Sequence, residues 1–317
     1  MNDIHQKLIT VILPTYNPDI ETIVMTLAAL RKQTLPLTNW ELMIIDNNST
    51  NNFHQQIDLS WHPAARLLVE KKQGLTYARR CGFVNAIAPI IIMVDDDNLL
   101  HQDFLVNACH IMEQDENLGA AGGKSIPLFL ATPPVWLAEF HHNLALRDLG
   151  NEILISHWNH SYPSAAPIGA GMVIRKAALE TYLNKRANTV ITDRNGSSLS
   201  SGGDNDIILE LLKSGYPVGY FPSLVLTHVI PPSRMQATYI ARLVQESNKS
   251  WISLLRAHDI LPWSDIQAWT VPIRKLKSFF SHRAWKGTSE NIRWRSACGL
   301  FEGLAANKSK KRIHQHE

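Results

Sequence analysis

Cysteine is scarce in this chain: Cys81, Cys109 and Cys298 are the only three among 317 residues. An odd number of widely separated thiols builds neither a disulfide framework nor a cysteine-based zinc site, so buried, unreactive thiols are expected. Also missing is any apolar run near the roughly 20 residues that a membrane-spanning helix requires. Residues 1–7 show no signal-peptide pattern, and the two absences together lead to the expectation of a cytoplasmic protein. Charged residues make up only 19% of the chain against 45% hydrophobic ones. That balance excludes a wholly disordered chain and supplies enough apolar surface for a large core. No repeat or low-complexity segment interrupts it.

Charge is small in total and uneven in placement. Residues 271–317 hold 11 Lys and Arg against Glu290, Glu302 and Glu317, a net +8 that leaves −5 on the remainder of a chain whose total is +3. Phe279, Phe280, Trp285, Trp294 and Phe301 are interleaved with these cations. Such a segment suits peripheral contact with an anionic membrane surface or with ligand phosphates. It suits equally a solvated helical face. Nucleic acid is not expected, because the acidic remainder opposes it and no nucleic-acid motif is present.

What the sequence does contain is alternation. Apolar runs at 8–13, 40–45, 66–70 and 89–94 read as strands, and amphipathic stretches at 20–32, 76–87 and 102–113 read as helices, the pattern of a mainly parallel α/β sheet. From 124 to 167 the alternation gives way to prolines, histidines and aromatics, a segment suited to shaping a pocket or lid. A strand at 171–174, a helix from 176, a turn-rich stretch at 193–203, a helix at 204–213, short strands at 218–221 and 224–227 and a helix at 237–255 complete the reading. No strand is expected between 94 and 171.

Polar residues collect where strands end. Pro14-Thr15-Tyr16-Asn17, Asp46-Asn47-Asn48-Ser49 and Asp95-Asp96-Asp97 each follow a strand, which is where open α/β sheets bind ligands. Three adjacent carboxylates repel one another and need compensation in a poorly solvated site; a divalent cation is the simplest partner. Hard cations such as Mg²⁺ and Mn²⁺ take oxygen ligands and commonly bridge carboxylates to phosphate. An acidic strand-to-loop turn is the simpler alternative. Gly202-Gly203-Asp204-Asn205-Asp206 opens a helix, with Asp204 at the expected cap, where amide donors and the helix dipole stabilise an ionised carboxylate able to accept a proton. His228, after another strand, can ligate a metal, and Arg234 can clamp phosphate.

Taken in order, these pieces resemble the family 2 glycosyltransferases, inverting nucleotide-sugar-dependent enzymes of GT-A fold, over about residues 8–245. Val11-Ile12-Leu13-Pro14-Thr15-Tyr16-Asn17 looks like the family's opening strand and nucleotide loop, and Ile44-Ile45-Asp46-Asn47-Asn48-Ser49 like its second, whose Asp contacts the base. Gly74-Leu75-Thr76-Tyr77-Ala78-Arg79 is similar to the loop-to-helix segment beside the nucleotide. Asp95-Asp96-Asp97 corresponds to the DxD motif. The resemblance implies a catalytic domain at 1–245, with a nucleotide-binding half at about 8–125 and an acceptor half at about 126–245, followed by a helical basic extension at 246–317. It implies Asp204 as catalytic base and Pro14, Thr15, Tyr16, Asn17, Asp46, Gly74, Arg79, Asp95, Asp96 and Arg234 as substrate-binding residues. Asp97 and His228 would hold Mn²⁺ or Mg²⁺. The implied donor is a nucleoside-diphosphate sugar, UDP-sugars being favoured, and the implied acceptor a sugar or lipid-linked hydroxyl in surface polysaccharide or glycoconjugate assembly. One departure is plain: many members have Glu-Asp where this chain has Gly203-Asp204, so an acceptor contact through that Glu is absent.

Two alternatives accompany this reading. Asp95-Asp96-Asp97-Asn98-Leu99 also resembles the nucleophile motif of haloacid-dehalogenase-type phosphatases, although that family expects Thr or Val at Leu99 and places the motif on its first strand. A nucleotide-sugar-binding protein without catalysis is the other.

Overall fold

Side-chain alternation in β1 (Ile9–Thr15) decides the layers. Val11 and Leu13 point into one apolar cluster with Ile23, Leu27 and Leu30 of α1 (Ile20–Arg31) and Phe104, Leu105 and Ala108 of α3 (Phe104–Gln114). Ile12 points to the opposite cluster, with Ala78 and Phe83 of α2 (Leu75–Asn85) and Ile207, Ile208 and Leu211 of α5 (Gly203–Lys213). β2 (Trp40–Asp46) and β4 (Ile90–Met93) divide their apolar residues the same way, so apart from the hydrogen-bonded pair Thr10 and Glu41 and the polar strand ends Thr15 and Asp46 the three strands are apolar on both faces. The computed structural model describes residues 7–184, 199 and 201–305. Most of the turn-rich stretch expected at 193–203 lies outside them, as do the basic residues from Lys308 to Arg312.

Two compact units are formed: Met1–Leu130 with Ala145–Gly196 and Gly203–Ile230, and Ala131–Leu144 with Ser197–Gly202 and Pro231–Glu317. The first holds a sheet of nine strands in the order β3-β2-β1-β4-β8-β6-β9-β5, with β7 also paired to β9. Here β3 is Ala65–Val69, β5 Asn98–Leu100, β6 Ala120–Phe129, β7 Leu154–Ser156, β8 Val173–Arg175 and β9 Val218–Ile230. β1 to β4 are mutually parallel; β8 enters antiparallel between β4 and β6.

Four strands depart from expectation. β6 reads as loop because Gly122, Gly123 and Pro127 punctuate it, yet each is accommodated. A Cβ at Gly123 would lie 2.0 Å from the Leu224 carbonyl oxygen, so the backbones of β6 and β9 approach through the glycine. Beyond Ala121, β6 leaves β8, and Pro127 falls where no named strand flanks that side. The two short strands expected at 218–221 and 224–227 are one strand, β9, interrupted by a register shift opposite Gly122 and Lys124. β5 and β7, three residues each, are too short to show alternation. The helix expected from Lys176 begins as a 3-10 turn, Lys176–Leu179, and continues as α4 (Glu180–Asn184).

The second unit contains α6 (Ala237–Ala257), α7 (Val271–Ser281), α8 (Thr288–Ala305) and the 3-10 stretch Val135–Leu144. Gly299 and Gly303, four residues apart on α8, let α6 come close: a Cβ at Gly299 would lie 2.1 Å from the Gln245 carbonyl oxygen, and one at Gly303 2.7 Å from Ile252 Cβ. Asn248 Nδ2 donates to Ser296 Oγ at 2.6 Å, and Arg293 engages both carboxylate oxygens of Glu139. No described helix is long and apolar enough to cross a membrane.

Cys109 and Cys298 are buried and Cys81 partly so; burial raises all three thiols, Cys109 to about 11, which leaves little thiolate to react. His62 responds to pH in the opposite sense. Its ring stands edge-on to Trp40 at 4.2 Å, Nδ1 accepts the Ala64 N–H at 3.1 Å, and Nε2 is buried with no partner. Burial first, and the Lys7 charge second, lower its pKa from 6.5 to about 4. Between those two values the unfolded chain binds the proton that the folded chain refuses, so stability is lost as pH falls from 6.5 towards 4. Thermal melts from pH 7 to 4.5 are expected to show a steeper loss in the native protein than in His62→Gln, which retains an acceptor for Ala64.

Candidate active site

The carboxyl ends of the first parallel strands are tied to one another. Thr15, the last residue of β1, donates through Oγ1 to Asp96 Oδ2 at 2.5 Å, and Thr26 of α1 donates to the Asp96 carbonyl at 2.9 Å. Asn47, just past β2, donates its N–H to the Thr15 carbonyl at 2.8 Å. The Asn17 side chain accepts the N–H groups of Thr50 and Asn51 at 2.7 and 3.2 Å, while its own N–H donates to Ser49 Oγ at 2.8 Å. Asn17 and Asn48 both have positive φ, 46° and 64°, a conformation Asn tolerates better than most residues. Asp46 is buried, its Oδ1 accepting the Ser49 N–H at 2.8 Å; Pro14 is buried and Tyr16 exposed.

Asn47 extends the tie to a third segment. Its Nδ2 donates to the carbonyls of Glu70 and Lys72 at 3.0 and 2.8 Å, and its Oδ1 accepts the Gly74 N–H at 2.7 Å. Gly74 has φ 130°, closed to a side chain without strain, and it turns the chain directly into α2. Asn47 is absent from the expected site residues, because a loop Asn shows its three partners only when the loops are folded.

The acidic cluster is held between β4 and β5. Asp97 Oδ1 accepts Asn98 Nδ2 at 2.9 Å and lies 3.3 Å from His228 Nε2. Register produces this meeting: Asn98 of β5 is the antiparallel partner of His228 on β9, and the Val229 N–H donates to the Asp97 carbonyl at 2.9 Å. Asp97 and His228 are 6% and 5% exposed, so the pair lies in a poorly solvated place. A carboxylate oxygen with an imidazole nitrogen is a donor pair that fits Mn²⁺ better than Mg²⁺, which prefers oxygen ligands throughout.

Asp95 leads to the second carboxylate centre. Its Oδ1 lies 3.6 Å from Arg79 Nη2, on the buried side of α2. A Cβ added at Gly169 would lie 3.0 Å from Arg79 Nη2 and 3.0 Å from Asp204 Oδ2, which places the guanidinium and the Asp204 carboxylate within about 6 Å of each other. α5 begins at Gly203, so Asp204 occupies its first turn rather than the expected cap. The carboxylate still receives amide donors, from Gly169 N–H to Oδ2 at 2.9 Å and Asn205 N–H to Oδ1 at 3.0 Å. Tyr162 donates to Asn205 Oδ1 at 2.6 Å; burial, then the Asp204 charge, raise its pKa, so the hydroxyl keeps its proton. Gly169 and Tyr162 are missing from the expected site because nothing local announces them. Arg234 lies in the 3-10 turn Pro232–Met235 of the second unit.

Comparison with known proteins matches residues 10–147 to the profile of Glycosyl transferase family 2, and residues 90–285, more than half of the chain, to that of Glycosyl transferase family group 2. The chain belongs to the family 2 glycosyltransferases. Among curated proteins, Glycosyltransferase AglE of Haloferax volcanii is 30% identical over 100 residues, 31% of this chain and 33% of that protein. An uncharacterized glycosyltransferase of Rickettsia felis is 29% identical over 116 residues, 35% of this chain and 18% of that one. The match therefore spans a third or less of these relatives. A mannosyltransferase from Pyrobaculum calidifontis, solved with GDP-Man and Mn²⁺, superposes with TM-score 0.58 at 16% identity, covering 96% of this chain and 91% of that one. S. aureus TarS, solved with UDP-GlcNAc, gives 0.53 at 12% identity, covering 93% and 89%. The fold of this family 2 glycosyltransferase is GT-A. Membership sets aside the phosphatase reading of Asp95.

Proposed function

We propose that this family 2 glycosyltransferase moves a sugar from a nucleoside-diphosphate donor to an acceptor hydroxyl with inversion. The observation that carries the reading is the buried meeting of Asp97 and His228, two motifs far apart in sequence that β5 and β9 bring within 3.3 Å. They would hold the Mn²⁺ or Mg²⁺. When bound, such a cation supplies electrostatic stabilisation to a diphosphate leaving group. Asp46 and the Pro14–Asn17 loop would hold the nucleoside, with Tyr16 exposed beside it. Asp96, fixed by Thr15 and Thr26, and Asp95 would position the donor. Gly74 turns the chain beside the nucleotide.

In the transfer step the bond between the acceptor oxygen and the anomeric carbon forms as the bond from that carbon to the diphosphate oxygen breaks, and the electron pair leaves with the diphosphate. Asp204 accepts the acceptor's proton; its two amide donors leave the carboxylate oriented. Arg79, 3.6 Å from Asp95 and within about 6 Å of Asp204, would offset the repulsion between the two carboxylates. The acceptor is a saccharide or lipid-linked hydroxyl of a surface polysaccharide or glycoconjugate.

A thermal-shift panel of nucleotide sugars with and without Mn²⁺ tests the donor class. A donor at 100 times its Kd stabilises by about 2.7 kcal/mol. One sugar nucleotide is expected to raise the melting temperature only when the metal is present; no response to any UDP- or GDP-sugar would overturn the reading. Gly169→Ala tests the second centre. Its Cβ would press on Arg79 and Asp204 together, and displacements of about 1 Å near reacting groups cost about 10²-fold. Turnover is expected to fall by about that factor.

A further inference from the structure

Helix α7 is apolar on the side that should be polar. Ser278 is its buried residue, and Lys275 and Phe279 flank it on the packed side: Trp294 Nε1 of α8 donates to the Lys275 carbonyl at 3.0 Å, Lys275 Nζ pairs with Glu302 at 2.6 Å, and Phe279 meets Trp294 ring to ring at 5.2 Å. The opposite side carries Ile273, Leu276 and Phe280, spaced three and four residues apart and therefore in one stripe. They are 60%, 60% and 58% exposed. Trp269, one turn before, is 72% exposed, and Trp285, whose ring lies 5.7 Å from that of Phe280, is 56% exposed. A solvent-facing helix normally buries such residues and exposes charge.

Charge around the stripe has one sign. From residue 268 to residue 286 there are five cations, Arg274, Lys275, Lys277, Arg283 and Lys286, and no Asp or Glu. Arg274 and Lys277 lie along the edge of the stripe and are exposed. Trp285 also borders an open pocket of about 650 Å³ to which Arg242 and Arg295 add positive charge and Glu246 subtracts some. Aromatic and aliphatic side chains on a short helix edged by Lys and Arg have the composition of a segment lying in a lipid interface.

We infer that the outward face of α7, with Trp269 and Trp285 at its ends, docks this protein on a membrane surface bearing anionic phospholipid. The helix lies in the interface plane, Ile273, Leu276 and Phe280 enter the acyl boundary, and Arg274 and Lys277 meet lipid phosphates. The inference concerns attachment, and it stands or falls independently of the transfer chemistry. A lipid-linked acceptor would be met at the same surface.

The test is flotation of the full chain with vesicles of phosphatidylcholine containing about one-third phosphatidylglycerol, and with phosphatidylcholine alone. Binding is expected only to the anionic vesicles, weakened by 0.5 M NaCl. Ile273→Ser with Leu276→Ser and Phe280→Ser is expected to lower the partition coefficient at least about tenfold. Arg274→Glu with Lys277→Glu, which leaves the apolar stripe intact, is expected to lower it about fivefold or more per charge. All five positions are exposed, so thermal melts should match the native protein. Brominated lipid should quench tryptophan fluorescence in the native chain and not in the triple variant. Equal binding by the variants, or no binding to anionic vesicles, overturns the inference. So does a concentration-dependent dimer abolished by the triple variant, which would make a second copy the occupant.

Discussion

Asp204→Asn is expected to lower transfer by about 10²–10⁴-fold, the usual worth of a positioned general base, while the donor-induced rise in melting temperature stays at its native size. The split follows from geometry. Asp204 belongs to α5, held by Gly169 and Asn205, whereas the residues assigned to the donor lie on the β1 and β2 loops and around Asp97. Asn retains one carbonyl oxygen, so one of the two amide bonds is lost, and a structural effect must be separated from a chemical one. The pH profile does so. A base must be ionised to act, so native turnover should carry a falling limb on the acid side. The variant's small residual turnover should lose that acid limb. A variant that merely distorts the site would keep the limb at reduced height.

Replacing His228 by Gln is expected to abolish the Mn²⁺-dependent part of donor stabilisation and to lower transfer by about 10³-fold, since a cation on a departing diphosphate contributes several kcal/mol and each 1.36 kcal/mol is tenfold. Asp97→Asn should do the same. Each single change leaves the other member of a buried pair with an altered partner, which is itself destabilising. The informative quantity is therefore the difference between melts with and without metal at saturating donor. If that difference persists in both variants, the metal is held elsewhere and the role assigned to the pair fails.

The parallel half of the sheet was legible because its buried strands are mostly apolar on both faces. The runs at 9–15, 40–46 and 90–93 stand out against amphipathic helices, and their boundaries move by only a residue or two. The carboxylates at 95–97 were legible for an electrostatic reason: three adjacent charges at the end of a buried strand call for a partner. β6 was not, since Gly123 and Pro127 look like loop residues until Leu224 approaches one and the other falls beyond β8. For the same reason β9 reads as two strands. The cap expected at Asp204 missed by two positions, since α5 already begins at Gly203, a shift that leaves the carboxylate its amide donors.

Sequence alone determined the alternation that builds the α/β layers, the carboxylates at the strand ends and the membership that their order implies, because periodicity and local charge are carried by neighbouring residues. Tertiary structure decided which of those groups meet. Asp97 reaches His228 only through the register of β5 on β9, and Arg79 comes within about 6 Å of Asp204 where Gly169 leaves room for both. The sequence marked the basic, aromatic segment that contains α7 as suited to a membrane surface, ligand phosphates or a solvated face; only the packing of Phe279 and Lys275 on α8 leaves Ile273, Leu276 and Phe280 facing solvent. Periodicity states that a helix has an apolar side, and long-range contacts decide which side the protein covers.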